Sequence, residues 1–274
     1  MGTGDYLGVC MRGFHCSGKT SPCHDKASKL AAVRWLSLGL ILIVLAGCPA
    51  WAGSPLALEV LAFSTRYHER LSRIDTIRRE LERATQTSED LEDLIALSQV
   101  CFITGDVRAV NLQQKLEAYD EGRTVARRAI ELDPANAAAH FWYGTNTARW
   151  GQTKGVIRSL FLLPTVQEEI QTVLRLDPKF TAVYALAGNV LYEVPPLLGG
   201  NLQKAEEMFR AGLDQDPRFT AMRIGLAKTL MRQGRLTEAR RELPAVLDEK
   251  APRSMAEWVT RDAKEARELL QSIR

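Results

Sequence analysis

Three times the chain repeats one short punctuation. Leu132-Asp133-Pro134, Leu176-Asp177-Pro178 and Gln215-Asp216-Pro217 each close an amphipathic helix, and the proline stops that helix and opens the next unit. Measured from proline to proline the steps are 44 and 39 residues, and Pro252 follows 35 later. Small residues in the opening helices, Gly144, Gly188 and Ala227, are separated by the same 44 and 39 residues. Further along the register recurs at 34 residues, where Ala239, Leu243 and Val246 answer Ala205, Phe209 and Gly212. One such unit cannot bury its apolar face alone, so neighbouring units must stack.

A 34-residue period lengthened by insertions is that of the tetratricopeptide unit. The expected fold class is all-α: a tetratricopeptide-like α-solenoid of about four helical hairpins, with a long N-terminal helix and a C-terminal capping helix. The hairpins are expected over Ser88 to Asp133, Asn136 to Asp177, Lys179 to Asp216 and Arg218 to Glu249, with the closing helix over Ser254 to Ile273. The chain then divides into a leader (1–52), an N-terminal amphipathic helix (53–87), the repeat domain (88–252) and the cap (253–274). From Pro55 to Arg83, Leu56, Val60, Phe63, Tyr67, Leu71, Ile74, Ile77 and Leu81 stand three or four apart and form one stripe. Thr87-Ser88-Glu89-Asp90 follows as a cap for the next helix. Small residues let paired helices approach, with Tyr184, Leu226 and Phe209 filling the gaps. Two insertions, Gly151 to Pro164 and Pro195 to Asn201, are apolar for loops, which marks them as contact surfaces or as packing against a neighbouring hairpin.

Ahead of the repeats, Trp35 to Ala52 reads as an export signal. Leu36 to Ala46 is too short to span a bilayer, suits a signal core, and is preceded by Lys26, Lys29 and Arg34. Two cleavage patterns overlap at its end. Leu45-Ala46-Gly47-Cys48 matches a bacterial lipobox, which would make Cys48 the lipidated first residue. Ala50-Trp51-Ala52 matches ordinary signal peptidase, releasing a soluble periplasmic protein after Ala52. The lipobox is the fuller match, so export to the periplasm and a lipid anchor in the membrane are expected. Signals start a few residues before their core, so a translation start at Val33 or Met11 is the alternative to Met1. Gly13 to Thr20 spells a phosphate-loop motif, but Pro22 and the signal core leave it no strand, helix or sheet, and nucleotide binding is not expected.

Composition narrows the function further. Residues 1–47 hold five of the 36 basic and two of the 33 acidic residues, so the remainder carries no formal net charge and no nucleic-acid partner is expected. Of the five cysteines only Cys48 and Cys101 lie beyond that segment, and Cys101 reads as a small buried core residue. No metal spacing or nucleophile elbow accompanies His68 or His140, so neither metal, cofactor nor enzymatic chemistry is expected. The carboxylate pairs Glu168-Glu169, Glu206-Glu207 and Asp248-Glu249 read as solvated helix faces. A binding surface is expected instead on the concave side, where the first helix of each hairpin points Phe141, Thr145, Arg149, Asn189, Tyr192, Glu193, Lys228, Met231 and Arg232 inward. Aromatics beside fixed cations suit an extended peptide or an amphipathic acid. Trp142 and Trp150 read as core.

Four stretches, HFWYGTNTARWG (140–151), LRLDP (174–178), VPPLLGGNLQKAEEMFRAGLDQDP (194–217) and AKEARELL (263–270), resemble the TatT family of tetratricopeptide-like lipoproteins associated with TRAP transporters. The resemblance implies a membrane-tethered periplasmic adaptor that docks the substrate-binding subunit of a TRAP-type transporter, as a homo-oligomer, a trimer, with an apolar channel for a hydrophobic ligand. Lys179 to Ala187, KFTAVYALA, is poorer in glycine than the family pattern. A generic lipoprotein scaffold for outer-membrane or secretion-complex assembly is the alternative.

Overall fold

The structure, a computed structural model, describes residues 54–273. The lipobox with Cys48, the cleavage sites, the alternative starts and the phosphate-loop motif therefore lie outside the described residues. Within them no strand occurs, and the helices pair in sequence. Helices α1 (Pro55–Phe63) and α2 (Leu71–Thr87) precede four hairpins: α3 (Leu91–Ile103) with α4 (Leu112–Leu132), α5 (Ala137–Lys154) with α6 (Val156–Leu176), α7 (Thr181–Glu193) with α8 (Leu202–Gln215), and α9 (Thr220–Arg232) with α10 (Leu236–Asp248). A short α11 (Met255–Glu257), a π-helical turn (Trp258–Asp262) and α12 (Ala263–Ser272) close the chain against α9 and α10. The all-α solenoid of about four hairpins is what the repeat implied.

The punctuation works as one device used three times. Asp133, Asp177 and Asp216 end their helices with nearly the same backbone, φ −140, −142 and −139 with ψ 93, 92 and 93. In each, the carboxylate Oδ1 accepts from the backbone N–H two residues on, at Ala135, Lys179 and Arg218, over 2.9–3.1 Å. The intervening proline has no N–H to extend the preceding helix. Side-chain caps start the helices that follow polar turns: Asp90 accepts from the Asp93 N–H, Asn111 from Gln114, Asn136 from Ala139 and Asn201 from Lys204.

Close helix approach sits where the small residues are. A Cβ on Gly188 would stand 2.5 Å from the ring of Phe209, and one on Gly144 would stand 3.0 Å from Glu169 Cβ. Ala227 is wholly buried. Phe209 and Leu226 are buried and Tyr184 half-buried beside them. Cys101 is buried in the N-terminal core, and burial pushes its thiol well up.

Two elements differ from expectation in detail. The N-terminal stripe is kept, with Val60, Tyr67, Ile74, Ile77 and Leu81 buried, but the helix breaks at Ser64–Arg70 around a 3-10 turn (Tyr67–Glu69). The break lets the Thr65 carbonyl accept from the Ala256 N–H at 2.8 Å and lets Ser54 reach back to Asp93. The insertion at Gly151 to Pro164 is helix rather than loop: α5 runs to Lys154, a single residue, Gly155 (φ 112), makes the turn, and Pro164 sits inside α6. The other insertion is a 3-10 turn (Pro196–Leu198) ended by Gly199 at φ 100.

The two ends of the solenoid meet. Ala256 belongs to the same buried cluster as Val60, Tyr67, Leu94 and Val100, so the closing segment covers both the last hairpin and the N-terminal turn. No helix among the described residues is long and apolar enough to cross a membrane.

Candidate functional site

Closing the stack on itself encloses a concave groove of about 1040 Å³, lined by α1, by the first helix of every hairpin and by the closing segment. Its floor is aromatic. Phe102, Trp142, Phe141 and Phe180 follow one another with ring centroids 5.6, 5.0 and 4.9 Å apart, and Tyr119 adjoins Phe102 at 6.4 Å. Such tilted and edge-on contacts stabilise aromatic pairs beyond their burial and leave a rigid apolar surface.

The walls carry six carboxylates (Glu92, Asp106, Glu193, Glu257, Asp262 and Glu265) against four cations (Arg149, Lys228, Arg253 and Arg261). The cations are already engaged. Arg149 pairs with Asp106, which also accepts from the Tyr119 hydroxyl. Lys228 bonds Glu265 at 3.1 Å, Arg261 reaches Asp262 at 2.9 Å and Glu257 at 3.2 Å, and Arg253 pairs with Asp216 at 3.2 Å while covering the Phe219 ring. Glu92 and Glu193 form no ion pair among the described residues. Burial pushes the Tyr119 hydroxyl up, helped by the Asp106 charge, and takes that of Tyr67 to about 12. Glu257 is raised by burial against the opposing pull of Arg261. The groove therefore offers an occupant apolar surface and surplus negative charge, which suits basic and apolar side chains better than an acid.

Of the residues expected to face inward, Phe141, Thr145, Arg149, Asn189, Glu193 and Lys228 line this groove. Tyr192, Met231 and Arg232 do not. Arg232 lies 3.8 Å over the Tyr192 ring and donates to the Tyr192 carbonyl at 2.8 Å, a clasp between α7 and α9, while Met231 packs in the core of the last hairpins. Helix α9 ends at Arg232, so the inward face that Ile224 and Lys228 share stops one turn earlier. Trp142, read as core, is part of the floor, and Trp150 is ringed by cations instead.

Sequence reasoning missed Phe180 and Phe219 as lining residues. Both are the residue before a first helix, in Lys179-Phe180-Thr181 and Arg218-Phe219-Thr220, and that shared position was the available signal. The contributions of α1, Glu257 and Arg261 had none, since they depend on ring closure. Two carboxylate pairs depart from a solvated face. Glu206 is buried, and hydrogen bonds from Arg235 and Arg210 outweigh burial to hold its carboxyl low. Glu169 bonds His140 Nδ1 at 2.6 Å, and burial raises it despite the histidine. Among the described residues no cluster of histidine, cysteine or carboxylates could hold a metal ion.

Residues 62–198, half of the chain, match the family model described as Regulator of microtubule dynamics protein 1-3, and residues 197–259 match a tetratricopeptide repeat model. No curated protein matches the chain. Among solved structures, a thermophilic tetratricopeptide protein of Thermus thermophilus shares 19% identity over 76% of this chain and 98% of its own, with a TM-score of 0.56. MamA (41-end) from Desulfovibrio magneticus shares 19% over 75% and 99%, with a TM-score of 0.46. At 19% identity the Thermus likeness speaks for the fold alone.

Proposed function

The chain belongs to the regulator of microtubule dynamics protein 1-3 family, and on that premise we propose that it is a binding protein whose closed groove holds an extended segment of a protein partner. The fold is that of protein-interaction scaffolds. One observation carries the more specific reading. An aromatic floor is flanked by Glu92 and Glu193, carboxylates that have no cation of their own among the described residues, so a partner segment bearing apolar and basic side chains supplies what the groove lacks.

The partner follows from the chain's address. Residues 35–52 read as an export signal with the lipobox Leu45 to Cys48, which favours a lipid-tethered protein on the periplasmic side of a membrane. The family description names microtubules, but an exported chain would not meet them, so that partner is not carried over. The Pro-Leu-Leu-Gly-Gly-Asn run favours the substrate-binding subunit of a TRAP-type transporter, with the trimer and hydrophobic-ligand channel of the resembling lipoproteins as its further features. Assembly scaffolding is the second reading, distinguished by its partner rather than its groove.

The test measures binding of the purified transporter subunit to the wild-type chain and to Glu193→Lys and Trp142→Ala. Both variants should weaken binding about tenfold or more, the cost of a central interface residue, with helical content unchanged. Absence of binding by the wild-type chain would overturn the transporter reading, and unaltered binding by both variants would move docking out of the groove. Arg149 and Lys228 are poorer probes, because replacing either strands Asp106 or Glu265 without its partner.

A further inference from the structure

The four hairpins place their internal turns on one edge of the solenoid and their Asp-Pro connectors on the other. Bonds between neighbours mark both edges. Arg149 near the end of α5 reaches Asp106 beyond the end of α3, and Arg232 at the end of α9 reaches the Tyr192 carbonyl at the end of α7. At the opposite edge Gln215 donates to the Pro178 carbonyl and the Arg253 N–H to the Arg218 carbonyl.

The turn edge has an unusual surface. Val110 is 85% exposed, Val156, Ile157 and Phe161 each 75%, and Leu197 98%, with Leu112, Leu198 and Leu236 also exposed. Residues 107–116, 150–167, 194–205 and 229–237, at and beside these turns, contain no Asp or Glu, and the one acid within a turn, Asp106 of 104–111, is paired with Arg149. Their cations are Arg108, Lys115, Lys154, Arg158, Lys204, Arg232 and Arg235, and of these only Arg108 and Arg235 form ion pairs among the described residues. Each connector at the other edge holds an aspartate. The turn edge also projects: α5 and α6, with 18 and 21 residues, outrun α7 and α8, with 13 and 14, by about 7–10 Å at the rise of an α-helix. At that tip Trp150 is ringed by Arg123, Lys154 and Arg158 at 4.4, 5.4 and 5.8 Å.

We propose that the hairpin-turn edge is a membrane-docking surface, on which exposed Val156, Ile157, Phe161 and Leu197 enter the headgroup boundary while the unpaired Lys115, Lys154, Arg158 and Lys204 engage anionic phospholipid. Exposed apolar side chains alone would fit a protein or a second copy equally well. Three of the four turns hold no acid, and the Asp106 of the first is neutralised by Arg149. Lys115, Lys154, Arg158 and Lys204 form no ion pair among the described residues, so this surplus of unpaired cations selects an anionic plane. An indole beside lysine and arginine is the composition of a membrane interface. Docking through this edge does not depend on the partner proposed for the groove.

The full-length chain is mixed with vesicles of neutral phosphatidylcholine, or of phosphatidylcholine with phosphatidylglycerol, and backbone hydrogen exchange is followed. Any attachment through residues 35–52 is common to both vesicle types. Exchange across 107–116, 150–167 and 194–205 should slow about tenfold on the anionic vesicles alone, while the connectors at 133–136, 177–180 and 216–219 keep their rates. In Lys154→Glu with Arg158→Glu, both surface changes that leave the core intact, the slowing at 150–167 should disappear. Equal rates on the two vesicle types overturn the proposal. So does slowing without vesicles that grows with protein concentration, which would identify a second copy as the occupant.

Discussion

Phe209 lies between two glycines, and that contact sets the spacing of the third and fourth hairpins. A Cβ at Gly188 on α7 or at Gly225 on α9 would stand 2.5 Å from its ring, too close for any real contact. Gly188→Ala should therefore destabilise by about 1–3 kcal/mol, the cost of overpacking a filled core, although alanine is the better helix former. In a Phe209→Leu background the penalty should shrink, because the ring that the methyl would meet is gone. Urea denaturation of the four variants reads this directly, and additive losses would show that the two positions do not share a contact. The spacing of Gly144, Gly188 and Ala227 made Gly188 legible in the sequence, whereas Gly225, two residues short of Ala227, lies off that spacing. That Phe209 is the obstacle was legible only as a large residue on the matching face.

The elements were legible wherever a polar residue or proline states a boundary. Asp90, Asn136 and the three Asp-Pro connectors mark helix ends by local hydrogen bonds, and a local signal survives in sequence. The α5–α6 elbow escaped, because its turn is a single glycine inside an apolar run that reads as a loop. Gly155 adopts φ 112 and ψ 170, a region essentially reserved for glycine. A Cβ there would meet nothing within 4 Å, so any penalty is backbone strain alone. Gly155→Ala should cost about 1–3 kcal/mol in denaturation and loosen the junction of α5 and α6. A neutral result would mean that the elbow relaxes into another conformation. The same logic explains the N-terminal break: nothing in the stripe from Leu56 to Leu81 signals that Thr65 bonds a residue near the other end of the chain.

At the scale of the whole molecule, ring closure converts an open solenoid into one with a shared N- and C-terminal core, and it places an ionisable group at the seam. Tyr67 and Glu257 both line the groove there, near the bond from the Ala256 N–H to the Thr65 carbonyl. Burial raises the Glu257 carboxyl above 4.5; Asp262 and Asp106 push the same way, and Arg261 and Arg253 oppose them. For an acid raised in the folded state, the folded protein binds the proton more readily than the unfolded chain. The stability from neutral Glu257 is thus fully present below 4.5 and is lost as pH rises through its raised value. Glu59, Glu206 and Glu238 are lowered instead, so the stability they contribute is present above 4.5 and fades as pH falls. Total stability mixes both trends, but the comparison with Glu257→Gln isolates the seam, because the amide keeps the neutral shape at every pH. Denaturation midpoints of the two proteins should run together below 4.5 and separate above it, the wild type falling behind. Parallel curves across that interval would mean that Glu257 is as well solvated in the ring as in the unfolded chain, and that the groove is open to water at the place where the two ends meet.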